Sequence, residues 1–210
     1  ANTIMPVRKD IIDAVFASGY TINSDEYFVA TNTEGFVLKS YVKEGDEVEI
    51  GDPLFQLSGD VQSSQLDKAL AQYNDALYRA SPESPQIISL QTQIEQAESQ
   101  VEIDKKNYDR YGALLEFDAV SKLDFEKVKL QYEVSLSNLQ VLEKSLEDLK
   151  GDLRLNLENA ESQLRIQQDY YGDYFIKSAK KGRVLNIFKE QGELAKRGES
   201  LAKIGSGKTI

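Results

Sequence analysis

The chain of 210 residues contains no cysteine and no histidine, and only one methionine and four prolines. Without cysteine there are no disulfides, no thiol nucleophile and no thiolate zinc site. Without histidine the commonest general base and transition-metal ligand is gone, so any catalysis would rest on carboxylates, lysine or tyrosine. Met5 alone cannot form a methionine cluster for copper or silver. No apolar run approaches the roughly 18 residues that a membrane helix needs. There is no basic stripe either, and a formal charge of −10 with a pI near 4.7 argues against nucleic acid as a partner. The chain begins at Ala1 rather than an initiator methionine, so a mature or excised piece is expected.

What is present is helix in quantity. Residues 60–170 read as helical almost throughout, with one turn near 116–120. After the turn, Leu139, Leu142, Leu146, Leu149 and Leu153 recur at alternating steps of three and four, the seam of a helix packed lengthwise on a partner. Before it, Ile87, Ile94, Val101, Tyr108 and Leu115 fall seven apart, with Leu90, Ala97 and Tyr111 between them. Two arms of coiled-coil spacing predict an antiparallel hairpin, its second arm about 70 Å long. Ser64 with Asp67 fits a capping box opening the first helix, and Leu66, Leu70, Tyr73 and Leu77 continue its stripe. Pro85 suits the first position of a new helix, so the ascending arm should be two helices in series. Pro85 and Gly151 are equidistant from a turn centred near Asp118, and at that level the descending seam steps Leu149, Leu153, Leu157 and Ala160, a stutter. A simple kink is the expected result.

Flanking the helices are two copies of one β segment. Between 26 and 57, short apolar runs beginning at Tyr27, Gly35, Glu47 and Leu54 are punctuated by Gly35, Gly45 and Gly51, and read as four strands. The pattern returns 147 residues later: Gly35, Gly45 and Gly51 map onto Gly182, Gly192 and Gly198. Phe28, Val29, Val37, Leu54 and Leu57 meet Phe175, Ile176, Val184, Leu201 and Ile204 in the same register. The glycines are read as turn positions that permit φ > 0. Neither copy holds enough apolar surface to fold alone, so the two should pair into one small β-sandwich with the hairpin as an insertion. The expected fold class is therefore α+β. Residues 1–25 read as a further β segment.

With both β copies and the insertion in view, the chain resembles the HlyD-like family of periplasmic adaptors, or membrane fusion proteins. GFVLKSYVKEGDEVEIGDPLFQL and GRVLNIFKEQGELAKRGESLAKI resemble the halves of that family's split biotinyl-lipoyl-like domain, spanning 26–59 and 171–206 here. Arg110, Leu114 and Ser121 match the family's docking pattern at the hairpin tip. The resemblance implies no enzyme activity and no cofactor. It implies a link between an inner-membrane transporter of RND or ABC type and an outer-membrane channel, and self-association into a ring, usually of six. It also implies periplasmic placement, with an inner-membrane anchor outside this chain, and a β-barrel of which 1–25 and 207–210 would be an edge. The alternative is a lipoyl or biotinyl carrier with an unusual insertion, since Asp67-Lys68-Ala69 resembles a modified tripeptide; Lys68, however, is expected inside a helix rather than on a tight hairpin. Gly205-Ser-Gly-Lys-Thr lacks the first glycine of a phosphate loop and reads as a linker.

At the tip, the residue-level readings compete. Ser121 with Asp124 is a sufficient helix cap, and Arg110 complements the carbonyl end of its helix. At about 100° per residue, Arg110 and Leu114 lie one turn apart on the side opposite Tyr108, Tyr111 and Leu115, where an apolar residue beside a cation suits an intermolecular contact.

Overall fold

The computed structural model describes residues 3–6, 8, 15–16 and 25–205. The β segment expected over 1–25, and the strand and linker expected beyond Gly205, therefore lie almost wholly outside the described residues. The described residues divide into two compact units, one that runs up to Ser58 and resumes at Phe175, and one of Gly59–Tyr174.

The β unit has strands β1 (Tyr27–Ala30), β2 (Gly35–Ser40), β3 (Glu47–Val48) and β4 (Pro53–Leu57) from the first copy. The second copy gives β5 (Phe175–Lys177), β6 (Gly182–Ile187), β7 (Leu194–Ala195) and β8 (Ser200–Gly205). They build two antiparallel four-stranded sheets, ordered β1-β8-β6-β3 and β5-β4-β2-β7. Under the 147-residue shift β5 to β8 correspond to β1 to β4, so the second sheet is the first with the copies exchanged. Each sheet takes two strands from each half.

The exchange extends to the turns. Gly45 donates to the Val184 carbonyl and Gly192 to the Val37 carbonyl, both at 2.8 Å; Gly51 donates to Ser178 and Gly198 to Thr31, again both at 2.8 Å. Gly45 and Gly192, at φ 94° and 92°, occupy left-handed backbone that a side chain would strain. Gly35 and Gly182 differ from the expected turn role. They open strands, and a Cβ would fall 2.8 Å from the Ser58 carbonyl oxygen at the first and 2.6 Å from that of Gly205 at the second. Close approach of backbone, rather than positive φ, is what excludes a side chain there. Even the register slip recurs, between Val37 and Lys39 in one sheet and Val184 and Asn186 in the other. Val37, Leu54 and Leu57 are buried with their counterparts Val184, Leu201 and Ile204. Truncating any of these leucines to alanine should cost about 2–5 kcal/mol.

The helical unit comprises α1 (Asp60–Ala80), α2 (Pro85–Glu116) and α3 (Lys122–Gly172). Both α1 and α2 pack on α3, which runs through Gly151 without a break. The seam residues expected on α2, from Ile87 to Leu115, are all withdrawn from solvent, as are Leu139 to Leu153 and the stutter residues Leu157 and Ala160 on α3. Two expectations for α1 fail. The helix starts at Asp60 behind Gly59, and the Ser64 hydroxyl donates to the Asp60 carbonyl at 2.9 Å instead of capping. Gly59 fixes the start because it lies flat against the Tyr174 ring, where a Cβ would come within 2.9 Å. The stripe also differs: Leu66 and Tyr73 turn inward with Ala69, Ala76 and Ala80, while Leu70 and Leu77 are exposed. Alanines let α1 approach α3 closely, and three-four spacing, not side-chain size, marks its seam.

Candidate functional site at the hairpin tip

The tip is built by two helix caps placed back to back. At the end of α2, the Asp118 amide donates to the Leu115 carbonyl at 3.0 Å and the Ala119 amide to the Leu114 carbonyl at 3.0 Å. That is the Schellman pattern, with Asp118 at φ 53° in the left-handed place usually held by glycine. Two residues on, Ser121 caps α3: its Oγ accepts from the Asp124 amide at 3.1 Å and donates to the Asp124 carboxylate at 2.6 Å. Below the turn, Tyr108 stacks on Phe125 and on Tyr132, with ring centroids 5.4 and 5.6 Å apart. Gly112 faces the Phe125 ring, where a Cβ would make ordinary contact at 3.6 Å. The turn therefore sits on a rigid aromatic footing.

Of the three residues singled out by sequence, Arg110 is exposed and donates from Nη2 to the Asn107 side chain at 2.6 Å. Among the described residues it has no carboxylate partner within ion-pair distance. Leu114 lies one turn further along α2 and is 38 % exposed. Ser121 is on the other side of the turn, with both hydroxyl functions engaged in the cap. Two further residues escaped the sequence reading: Phe117, 80 % exposed, and Leu123, 61 % exposed. Both were legible as large apolar residues off the seam and next to the turn. Ile103, also exposed, is eleven residues before Leu114 and so falls on the same side of α2 at 100° per residue. The tip offers an apolar surface with one unneutralised guanidinium. Among the described residues, no three carboxylates are grouped as a metal site requires, and Lys68 lies within α1.

No protein-family model matches the chain, and no curated protein does. Solved structures do. The structure of the periplasmic adaptor protein EmrA aligns with a TM-score of 0.50 at 14 % identity, over 89 % of this chain and 73 % of that one. The fold is similar to that of a periplasmic adaptor. The soluble domain of LipC, a membrane fusion protein of a type I secretion system, gives a TM-score of 0.48 at 16 % identity over 86 % of this chain and 99 % of that one. MacA from Actinobacillus actinomycetemcomitans gives 0.44 at 20 % identity, over 89 % of this chain but 50 % of its own length. Among the described residues no helix is long and apolar enough to cross a membrane.

Proposed function

We propose that this chain is the hairpin-bearing part of a non-enzymatic periplasmic adaptor, which links an inner-membrane transporter of RND or ABC type to an outer-membrane channel for efflux or secretion. The observation that carries the reading is the tip, where Arg110 and Leu114 face away from the seam and Phe117 and Leu123 stand exposed beside them. In this reading the two exchanged sheets are a biotinyl-lipoyl-like domain, residues 1–25 and 207–210 are the edge of a β-barrel, and an anchor outside the chain holds the protein at the inner membrane. Ring assembly, hexameric in the full-length protein, brings several tips against one channel. Leu123, Leu130, Val134 and Val141 recur along the exposed side of α3 and support lateral contact between copies of the hairpin.

The tip is tested by Arg110→Glu and Leu114→Asp. Reversing an interfacial charge, or placing a carboxylate in an apolar contact, typically costs several kcal/mol of association, whereas exposed substitutions shift folding by roughly 0.5 kcal/mol or less. Both variants should melt like the parent while losing site-specific cross-linking to the channel and losing transport in cells. Parental cross-linking and transport by both would refute docking through this tip.

A further inference from the structure

The helical unit carries a second feature, distant in sequence from the tip and independent of any reading of it. Between the end of α1 at Ala80 and the start of α2 at Pro85 the ascending arm is interrupted, while α3 continues alongside. Ser81 and Ser84, at the two ends of the link, are extended at ψ 154° and 129°, and neither Pro82 nor Pro85 has an amide hydrogen to carry a helix across. Among the described residues, α3 is the one helix that joins the part holding α1 to the part holding α2.

Gly151 lies in the stretch of α3 beside the link, and nothing in its surroundings calls for a glycine. Apart from its chain neighbours and the helix backbone, no atom lies within 4 Å of the place its Cβ would take, and its φ is not positive. Gly59 and Gly182, by contrast, are closed off by neighbouring groups, and Gly45 and Gly192 sit at positive φ. Glycine in a helix interior has more backbone freedom to lose than alanine and leaves the adjoining backbone open to water. So α3 is weakened at the level where the arm beside it is broken. Packing is loose there as well: cavities of about 360 and 420 Å³ flank the link, one between Pro82 and Leu157 and the other between Gln86 and Leu153. Ser84 holds the N-cap place of α2 without capping it; it is buried and its hydroxyl has no hydrogen-bond partner. Buried hydroxyls are ordinarily satisfied, so the link is not in its best-bonded arrangement. The α3 seam also changes step here, through Leu149, Leu153, Leu157 and Ala160.

We propose that α3 opens and bends at Gly151, so that the α2 part of the helical unit, tip included, swings on the α1 part. The bonds that give way run from the amides of residues 152–155 to the carbonyls of 148–151. Leu153, buried at 7 % exposure on the seam side, is the pivot, and the two cavities are the slack that lets the link follow. Gly151 is 33 residues from Asp118 at the turn, about 50 Å along the helix. A bend of about 20° there displaces the tip by about 17 Å. The motion belongs to the helical unit alone and does not depend on what the tip binds.

The test is amide hydrogen exchange on the whole chain, read residue by residue. Amides 152–155 should exchange about tenfold or more faster than those in the α3 turns around Leu142 and Leu164. Gly151→Ala should slow them about fivefold, the ratio that separates glycine from alanine in a helix interior, whereas Gly112→Ala in α2 should leave them unchanged. Bending is read separately from opening. The chain has no cysteine of its own, so spin labels can be placed on cysteines introduced at the exposed positions Asn74 and Gln96, on either side of the break. Their distance distribution should be about twice as wide as that of a pair at Ser89 and Lys105 within α2, and should narrow when Gly151→Ala is added. Exchange at 152–155 no faster than in the two reference turns, parental exchange in Gly151→Ala, or equal widths for the two label pairs would each overturn the proposal.

Discussion

Ser121 and Asp118 show how single residues set the tip. Ser121 satisfies an otherwise orphaned amide at the start of a 51-residue helix, so Ser121→Ala should lower stability by about 1 kcal/mol in a melt. Asp118 sits at φ 53°, where a residue with a Cβ is disfavoured by about 1 kcal/mol, and Asp118→Gly should raise stability by a similar amount. The two changes therefore move the melting temperature in opposite directions around one turn. If Asp118→Gly melts lower than the parent, the Asp118 side chain has a contribution beyond its backbone. Ser121 also separates two contributions to activity. Its hydroxyl is fully engaged by Asp124, so activity lost on Ser121→Ala should track the stability loss, unlike that of Arg110→Glu.

At the scale of elements, the α2–α3 seam contains a buried charged residue beside its buried Ser135. Asp104 occupies the position between Val101 and Tyr108 where the heptad calls for an apolar side chain, and it is only 5 % exposed. Its carboxylate accepts from Gln100 at 3.1 Å and, across the hairpin, from Gln131 at 3.4 Å. A buried polar residue in a coiled coil commonly sacrifices stability to fix register. Asp104→Leu should therefore raise the melting temperature of the helical unit, and a lower one would show that the Gln131 contact outweighs burial. Periodicity made most of this unit legible: both arms of the hairpin, the break before Pro85 and the stutter at Leu153 follow from three-four steps and from proline. It misled on α1, where large Leu70 and Leu77 were read as seam and small Ala69 and Ala76 hold it. The helical stretch was placed correctly from residue 60, but its cap was sought at Ser64 because Gly59 is set by Tyr174, more than a hundred residues away, which no local pattern announces. Phe117 and Leu123 have no period of their own, and their signal is their place off the seam beside the turn.

At the scale of the whole molecule, charge sets the limits of stability. Arg183 holds the Glu47 carboxyl below its usual range by a hydrogen bond at 2.8 Å and by its charge. The Lys196 amide, then Lys189, does the same for Glu199. Both depressed carboxylates stabilise the fold above their unfolded value near 4.3, and that contribution is lost as pH falls through the folded values. Lys181 and Lys144 are shifted upward, by Glu49 and by Glu147 with Asp148, so their contributions hold below about pH 10.4 and disappear as pH rises through the raised values. Melting temperature should stay level between roughly pH 5 and 10 and fall on either side. Glu47→Gln should blunt the acid fall; a parental acid limb in that variant would remove the Arg183 pair from the account. With its net charge of −10 the isolated chain should be largely monomeric at micromolar concentration. Light scattering that found a stable hexamer of this chain alone would place the ring contacts in these two units. The exchanged sheets also bear on synthesis at the ribosome. Val29 pairs with Ala202 and Val37 lies in the strand that borders β7, so the first copy has no complete sheet to join until the second has been made. Closing a flexible loop of that length would cost on the order of 4 kcal/mol in chain entropy. The helical unit, whose contacts are complete by Tyr174, can form first and bring its own ends together at Gly59 and Tyr174. The expected order of events in the nascent chain is helices before sheets, and pulsed hydrogen exchange that protected strands β1–β4 before α1–α3 would overturn it.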